Sequence, residues 1–189
     1  MIKRIFKVEN SWAFILFLII FWMINTIITD EEYLKAFNFI IPGLKITFGA
    51  TFVSFFIAIL LGLLLGIGRI SNNIFLSTIS RIYIEFIRGV PILILIFTIA
   101  FVIVVDAAKF LNINNGNVPM LIRAIIALSL FYAAYIAEVF RAGIESVPTG
   151  QREGGASVGL SDSQVMRFIV LPQAFRNMLP ALGNDFISM

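Results

Sequence analysis

The feature that most constrains this chain is a run of 23 residues, 46–68, that contains no charged side chain. An α-helix rises about 1.5 Å per residue, so such a run can cross the roughly 30 Å hydrocarbon layer of a bilayer. Three further runs, over residues 12–28, 91–105 and 120–140, are almost as apolar. The chain is 60% hydrophobic and only 13% charged, whereas soluble domains have about 25% charged residues. We therefore predict an all-α integral membrane protein.

The absence of two residue types excludes several kinds of chemistry. The sequence has no cysteine and no histidine, so disulfides, zinc sites built on these ligands and Ser-His-Asp triads are excluded. It also lacks the Gly-x-x-x-x-Gly-Lys-Ser/Thr pattern of a phosphate-binding loop. The net charge of +3 is too small to indicate nucleic acid as a partner. We predict no catalytic residue, no metal and no cofactor in this chain.

The distribution of lysine and arginine predicts the orientation in the membrane. If the N-terminus lies inside, the inside segments are 1–11, 69–90 and 141–178, and they hold ten of the 14 basic residues. Cytoplasmic loops carry such an excess, so we predict that the N-terminus and residues 141–178 are cytoplasmic. The run 12–28 could instead be a signal peptide, but no small-x-small cleavage site follows it, and we interpret it as a retained helix.

The second apolar run carries a small residue at every fourth position, which places these residues along one stripe of a helix. Small side chains allow two membrane helices to approach closely. Static packing is the simpler interpretation, and a helix that slides against a partner is the functional alternative. The stripe consists of Ala50, Ser54, Ala58, Gly62 and Gly66.

Charged residues near the ends of the apolar runs are candidate functional groups. Glu138 lies near the inner end of the fourth run, and a carboxylate in a membrane segment is a functional candidate by default. Arg141 and Glu145 follow at spacings that permit a Glu-Arg-Glu ladder on one helix face, which is the structural alternative. Glu85 and Arg88 precede a Gly-Val-Pro sequence, and a charged interfacial helix is the structural alternative for them.

The polar segment after the fourth run carries the capping signals of two short helices. Thr149 can cap the first helix, and Gly159 can supply the left-handed residue that ends it. Ser161 can cap a second helix, which Leu171-Pro172 is expected to break. A compact helix–turn–helix of this kind can dock in a groove of a soluble partner.

Several of these segments resemble one known family, the permeases of bacterial ABC importers. The Glu-Ala-Ala loop of that family, with a glycine and a Leu-Pro pair at fixed spacing, is matched by Glu153, Gly154, Gly155, Gly159, Leu171 and Pro172. Residues 85–91, 134–151 and 171–181 are similar to the polar amino acid branch of the family. The chain departs from the motif where two glycines replace the alanines, which makes the helix more pliant because glycine costs a helix about 1 kcal/mol relative to alanine.

The resemblance implies an ABC type I importer transmembrane domain over residues 42–189, preceded by an extra helix in residues 1–41. It implies a coupling helix over about 149–159 that docks on a separate ATP-binding cassette subunit, where ATP and magnesium bind. It also implies a second permease subunit, identical or paralogous, and an extracytoplasmic solute-binding protein that delivers a polar or charged L-amino acid. The family continues past residue 189, so we expect the chain to be truncated at its C-terminus.

Two alternatives to a permease remain open from the residues alone. A permease predicts that polar groups of the membrane runs face a shared cavity, whereas a scaffold that docks an ATPase without transporting predicts that they pack internally. A secondary transporter with Glu138 as its proton site is the third interpretation, which the coupling motif disfavours. The candidate pathway or gating residues are Thr51, Glu85, Arg88, Tyr135, Glu138 and Arg141, and the further polar groups are Thr47, Ser129 and Tyr132.

Overall fold

The computed structural model describes residues 11–113 and 118–189, and in these ranges all regular secondary structure is helical. Residues 1–10, which hold three of the predicted inside charges, and residues 114–117, part of the polar stretch 106–117 that the sequence predicts to be a turn, lie outside the described residues. The chain divides into two compact units, of which the first ends at Phe48 and the second begins at Gly49. The predicted domain boundary after residue 41 stays a prediction. Four helices of the described part are long and apolar enough to cross a membrane.

The first unit contains α1, Ser11–Thr29, and the beginning of α2, Glu31–Ile70. The charged residues between Asp30 and Lys45 predict a polar connection between two helices, and this prediction is wrong, because α2 is already helical from Glu31. The polar residues are accommodated on the helix surface, where Lys35 and Glu31 form an exposed ion pair of 2.9 Å at i,i+4 spacing. The drop in hydropathy therefore marks polar side chains on a continuing helix and not the end of the helix.

In the second unit, the small-residue stripe of α2 packs against α6, Met120–Glu145. A Cβ atom added at Gly62 would lie 2.7 Å from Ile136 Cγ2, and one added at Gly66 would lie 3.1 Å from the carbonyl oxygen of Ala137. The two helices can approach this closely because the glycines have no side chain. Four stripe residues are buried and the fifth is half-buried: Ser54, Ala58, Gly62, Gly66 and, half-buried, Ala50.

Helix α3, Ile74–Gly89, is an amphipathic helix held to α6. Its N-terminus is capped by Asn73, whose side chain accepts a hydrogen bond from the backbone N–H of Phe75 at 2.9 Å. Tyr83 donates its hydroxyl to the carbonyl oxygen of Leu130 in α6 at 2.7 Å. Burial raises the pKa of Tyr83 to about 12, so the hydroxyl keeps the proton that this hydrogen bond requires.

The third apolar run is a helix with one π-helical interruption. It consists of α4, Ile92–Thr98, a first π segment, Ile99–Ile103, and α5, Val104–Phe110. The apolar run ends at residue 105, but the helix extends to Phe110. Its last turns contain polar side chains, and Lys109 and Asp106 form an ion pair of 2.9 Å on the helix surface. Ile99 and Ala100 of the π segment are buried against α6.

Two predictions for the C-terminal part of the chain are wrong: the helix cap at Thr149 and the helix break at Pro172. Thr149 begins a helix but makes no capping bond, since Pro148 precedes that helix and sets its first turn. Pro172 does not break the helix before it, because a π segment leads directly into the next helix and places the proline in its first turn, where a missing N–H is tolerated. The elements are α7, Thr149–Ser157, α8, Asp162–Val165, a second π segment, Met166–Val170, and α9, Leu171–Ser188.

Candidate functional site

The Glu138 carboxylate, on α6, is the centre of an ion cluster that joins three helices. Arg141 donates its Nε to Glu138 Oε1 at 3.0 Å and also pairs with Glu145, which gives the predicted ladder along α6. Arg69, at the end of α2, places Nη1 3.1 Å from Glu138 Oε2, and Arg88, at the end of α3, places Nη1 3.9 Å from the same oxygen. The sequence predicted the ladder but not the two arginines from other helices.

Arg88 also faces a cavity of about 440 Å³ between α6 and α9, which we name the central cavity. Its guanidinium lies over the ring of Tyr135, 5.4 Å from the ring centroid, and both side chains line the cavity together with Glu138. Three candidates of the sequence analysis thus meet at one cavity. The polar groups that α9 adds to its lining are Asn177 and Asp185.

Asp185 is a functional candidate that the sequence analysis missed. Its side chain is half-buried, and Oδ2 is a buried atom with no hydrogen-bond donor among the described residues. Asp185 also lines a second cavity of about 540 Å³ beside Pro91, which it shares with Arg88 and Tyr135. A signal was available, because Asp185 is a carboxylate in the apolar segment after residue 179, and such carboxylates are functional candidates by default.

The remaining candidates divide between cavities and internal packing. Glu85 lines a smaller cavity of about 410 Å³ together with Arg88 and Tyr135, whereas Arg141 lines a different cavity from these. Thr51 is half-buried on α2 and is not among the lining residues of the cavities described here. The other polar groups divide in the same way: Tyr132 lines the cavity beside Pro91, Ser129 bonds to the carbonyl oxygens of Ser54 and Ile125, and Thr47 bonds to the carbonyl oxygen of Gly43 in its own helix.

The predicted coupling segment forms a compact knob, residues 149–165, made of α7, a turn and α8. Gly159 has a φ of +84°, the left-handed conformation predicted for it. Its N–H bonds to the carbonyl oxygen of Ala156 at 3.0 Å, and the N–H of Leu160 bonds to that of Gly155 at 3.2 Å, which is a Schellman motif. Ser161 caps α8 in a reciprocal capping box with Gln164.

Side chains of α7 fix the knob to the elements on either side. Arg152 donates Nη2 to the carbonyl oxygen of Ile144, near the end of α6, at 3.1 Å, and Gln173 of α9 donates to Gln151 at 3.3 Å. Gly155 is buried beneath the second π segment, because a Cβ added there would lie 2.6 Å from Ile169 Cδ1. The motif residues that stay exposed are Glu153, Gly154, Gly159, Leu171 and Pro172.

Within residues 11–113 and 118–189, no group of three or more histidine, cysteine, aspartate or glutamate side chains is placed to hold a metal ion. What the arrangement offers is a largely apolar cavity that also carries an arginine, a tyrosine and two carboxylates, and, apart from it, an ordered and exposed knob.

The comparison with known proteins identifies the family. Residues 58–189 match the family described as "Binding-protein-dependent transport system inner membrane component". The match covers more than half of the chain, and the chain belongs to this family of ABC transporter permeases. Its fold is that of the type I importer permeases. Its relatives are named as amino-acid ABC transporter permeases, which supports the same role for this chain.

Relatives and solved structures agree with this assignment. The chain is 37% identical to the probable amino-acid ABC transporter permease protein YckA of Bacillus subtilis, covering 88% of this chain and 73% of the relative. It is 33% identical to the glutamate/aspartate import permease protein GltK of Escherichia coli, covering 76% of this chain and 64% of the relative. A solved structure described as "Crystal structure of an amino acid ABC transporter with histidines" aligns with a TM-score of 0.74 and 34% identity over 84% of this chain and 70% of that one.

Proposed function

We propose that the chain forms part of the membrane pathway for a polar or charged L-amino acid in an ATP-driven importer. The observation that carries this proposal is the central cavity, where Arg88 and the unpartnered carboxylate oxygen of Asp185 line the same space. A guanidinium suits the α-carboxylate of an amino acid, and a carboxylate suits its ammonium group. The glutamate/aspartate and cystine permeases among the relatives support a polar or charged substrate.

The energy source in this proposal is a separate ATP-binding cassette subunit, where ATP and magnesium bind. The chain itself carries no phosphate-binding loop. Glu153 and Gly154 are the exposed part of the knob that docks in the ATPase, and Gly159 shapes the turn behind them. Leu171 and Pro172 begin the return towards the membrane. Closure of the ATPase dimer on ATP would move the knobs of the two permease subunits together and switch the cavity from inward to outward access.

The remaining partners in this proposal are those that permeases of ABC importers require. A second permease subunit, identical or paralogous, completes the pathway, and an extracytoplasmic solute-binding protein delivers the amino acid. Membrane lipid surrounds the apolar outer faces, and nucleic acid is not a partner. The predicted orientation puts the N-terminus and residues 141–178, and therefore the knob, in the cytoplasm, where ten of the 14 basic residues lie.

The pathway is tested by amino acid uptake into proteoliposomes that contain the chain with its ATPase, its permease partner and its binding protein. Asp185→Asn keeps the shape of the side chain but removes its charge, so we expect uptake to fall at least about tenfold. Asp106→Asn is the matched control, because Asp106 is exposed and paired with Lys109 away from the central cavity. Equal uptake in the two variants would contradict the assignment of the central cavity.

Docking is tested separately by retention of the ATPase in a detergent pull-down. Glu153→Arg and Gly159→Asp should release the ATPase, whereas Asp185→Asn should retain it, because Asp185 does not lie on the knob. If Glu153→Arg and Gly159→Asp retain the ATPase as well as the wild type does, the knob is not the docking element.

A scaffold that docks an ATPase without transporting is the second candidate, and internal packing of Ser129 is the observation that favours it. The two assays separate the candidates: a scaffold retains the ATPase through the knob but gives no amino acid uptake in the complete assembly. A secondary transporter is disfavoured because Glu138 serves as the counter-ion of arginines from three helices.

A further inference from the structure

A cavity that the pathway does not use lies at the end of α6 next to the knob. It has a volume of about 440 Å³, and we name it the arginine cavity because four arginines line it. The arginines come from four different elements, α2, α3, α6 and α7: Arg69, Arg81, Arg141 and Arg152. Its volume lies within the range of small-molecule sites, about 300–1,000 Å³.

The charges around this cavity do not balance. Glu138 pairs with Arg69 and Arg141, and Glu145 pairs with Arg141 from the cavity wall. The four arginines thus have two carboxylate partners, of which only Glu145 lines the cavity, and this leaves at least two positive charges in excess. Like charges this close repel one another, so the arrangement favours an anion in the cavity.

Two of the four arginines retain unused hydrogen-bond donors. Arg81 is exposed and makes no ion pair or hydrogen bond within residues 11–113 and 118–189. Arg152 uses Nη2 on the carbonyl oxygen of Ile144, but its Nε is buried and finds no acceptor in the same ranges. A buried guanidinium N–H without an acceptor is costly, and a phosphate group offers several oxygens in the geometry that guanidinium groups bind best.

The surroundings of Arg81 indicate where such a phosphate comes from. On α3 several exposed side chains are apolar and follow helical spacing, so this helix presents an apolar face beside a cationic group, while the exposed Thr78 and Glu85 lie one turn from Arg81. Basic pockets between membrane helices that open beside an apolar surface bind anionic lipid headgroups. The exposed apolar residues of that face are Phe75, Ile79, Ile82 and Phe86.

We propose that the arginine cavity binds the phosphate group of an anionic phospholipid, with Arg81 and Arg152 as the principal ligands. The site is separate from the central cavity, which different side chains of α6 and α9 line. The proposal does not depend on transport, since it rests on the charge and the donors of this cavity and on the apolar face of α3 beside it.

The test is native mass spectrometry of the full chain in detergent, titrated with phosphatidylglycerol or with phosphatidylcholine. We expect the wild type to prefer phosphatidylglycerol, and Arg81→Gln to weaken its binding about tenfold, the scale of one charge-assisted hydrogen bond. Arg176→Gln is the matched control, because it removes the same charge from an exposed residue of α9 outside the cavity and should change binding less than about twofold. Arg152→Gln should repeat the effect of Arg81→Gln.

A second arm uses inorganic phosphate and the thermal midpoint of the same proteins. If phosphate raises the midpoint of the wild type but not that of Arg81→Gln, and no lipid preference is found, the anion site stands with a soluble phosphate as its source. If phosphatidylglycerol binding is the same in all four proteins, or falls equally in Arg81→Gln and Arg176→Gln, the proposal is overturned. It is also overturned if Arg81→Gln releases the ATPase while neither lipid nor phosphate binds, because the cavity then belongs to a protein partner.

Discussion

Gly154 and Gly155 are neighbours in the sequence, but the structure gives them opposite surroundings. A Cβ at Gly154 would meet nothing within 4 Å, whereas one at Gly155 would lie 2.6 Å from Ile169 Cδ1 and 2.9 Å from Val165 Cγ2. The packing therefore requires a glycine at Gly155 but not at Gly154. The branched side chains of Val165 and Ile169 occupy the space that an alanine methyl would need.

Gly154→Ala should therefore stabilise the protein, because alanine favours a helix by about 1 kcal/mol over glycine. Gly155→Ala should destabilise it by about 1–3 kcal/mol, since the added methyl overpacks the contact with the second π segment. The measurement is the midpoint of thermal unfolding in detergent for each variant. Midpoints that shift in the same direction would contradict the packing described for Gly155.

Glu138 and Glu145 contact the same arginine but differ in burial. The Glu138 side chain is 20% exposed and faces three arginines, whereas Glu145 is 56% exposed and pairs with Arg141 alone. Glu138→Gln should lower the free energy of unfolding by about 2 kcal/mol, because it leaves partly buried guanidinium groups without a counter-ion. Glu145→Gln should cost less than about 1 kcal/mol, as exposed ion pairs do. Chemical denaturation in detergent measures both, and equal costs would argue against the cluster.

At the scale of elements, hydropathy located the four apolar helices but did not predict where most of them end. The run 46–68 lies inside the longer helix Glu31–Ile70, and the helix that begins at Ile92 continues past the end of the run 91–105 to Phe110, whereas the run 12–28 agrees closely with Ser11–Thr29. Hydropathy reports the environment of side chains, and a helix that leaves the apolar layer keeps its backbone hydrogen bonds. The capping signals were better guides where a side chain or a left-handed glycine fixes the backbone, as at Ser161 and Gly159.

The sequence also predicted part of the candidate site, because polar side chains stand out against apolar runs. Arg88, Tyr135 and Glu138 stood out because they are polar or charged residues in or beside apolar runs, and the structure brings them to one cavity. That Arg69 also contacts Glu138 could not be read from the sequence, since only the packing of α2 on α6 brings the two together. Asp185 was missed because the apolar stretch that carries it, residues 179–189, is too short to predict a membrane span, although its composition held the signal.

The packing of α2 on α6 gives a prediction at this scale. Gly62→Ala would place a methyl 2.7 Å from Ile136 Cγ2 and 3.0 Å from the carbonyl oxygen of Ala133, and the backbone atom cannot yield as a flexible side chain would. We expect a loss of about 1–3 kcal/mol of stability. Gly49→Ala is the control on the same helix, because nothing lies within 4 Å of its Cβ position. A thermal midpoint of Gly62→Ala at or above that of Gly49→Ala would count against close contact of the helices.

At the scale of the whole molecule, the absence of cysteine makes the orientation directly measurable. Single cysteines introduced at exposed positions report which side of the membrane they occupy. With a membrane-impermeant thiol reagent, Asn112→Cys, after α5, should be labelled in intact cells, whereas Ser163→Cys, on the knob, should be labelled only after permeabilisation. The reverse pattern would invert the proposed topology.

Gly143 of α6 and Met178 of α9 form one of the closest contacts between these two helices. A Cβ added at Gly143 would overlap the Met178 side chain, so this contact requires a glycine. Both residues also line the central cavity, and the knob is fixed to α6 through Arg152 and to α9 through Gln151. The knob and the wall of the central cavity are therefore tied to the same two helices, so a displacement of the knob is transmitted to the cavity through a contact that leaves no room for a side chain at Gly143.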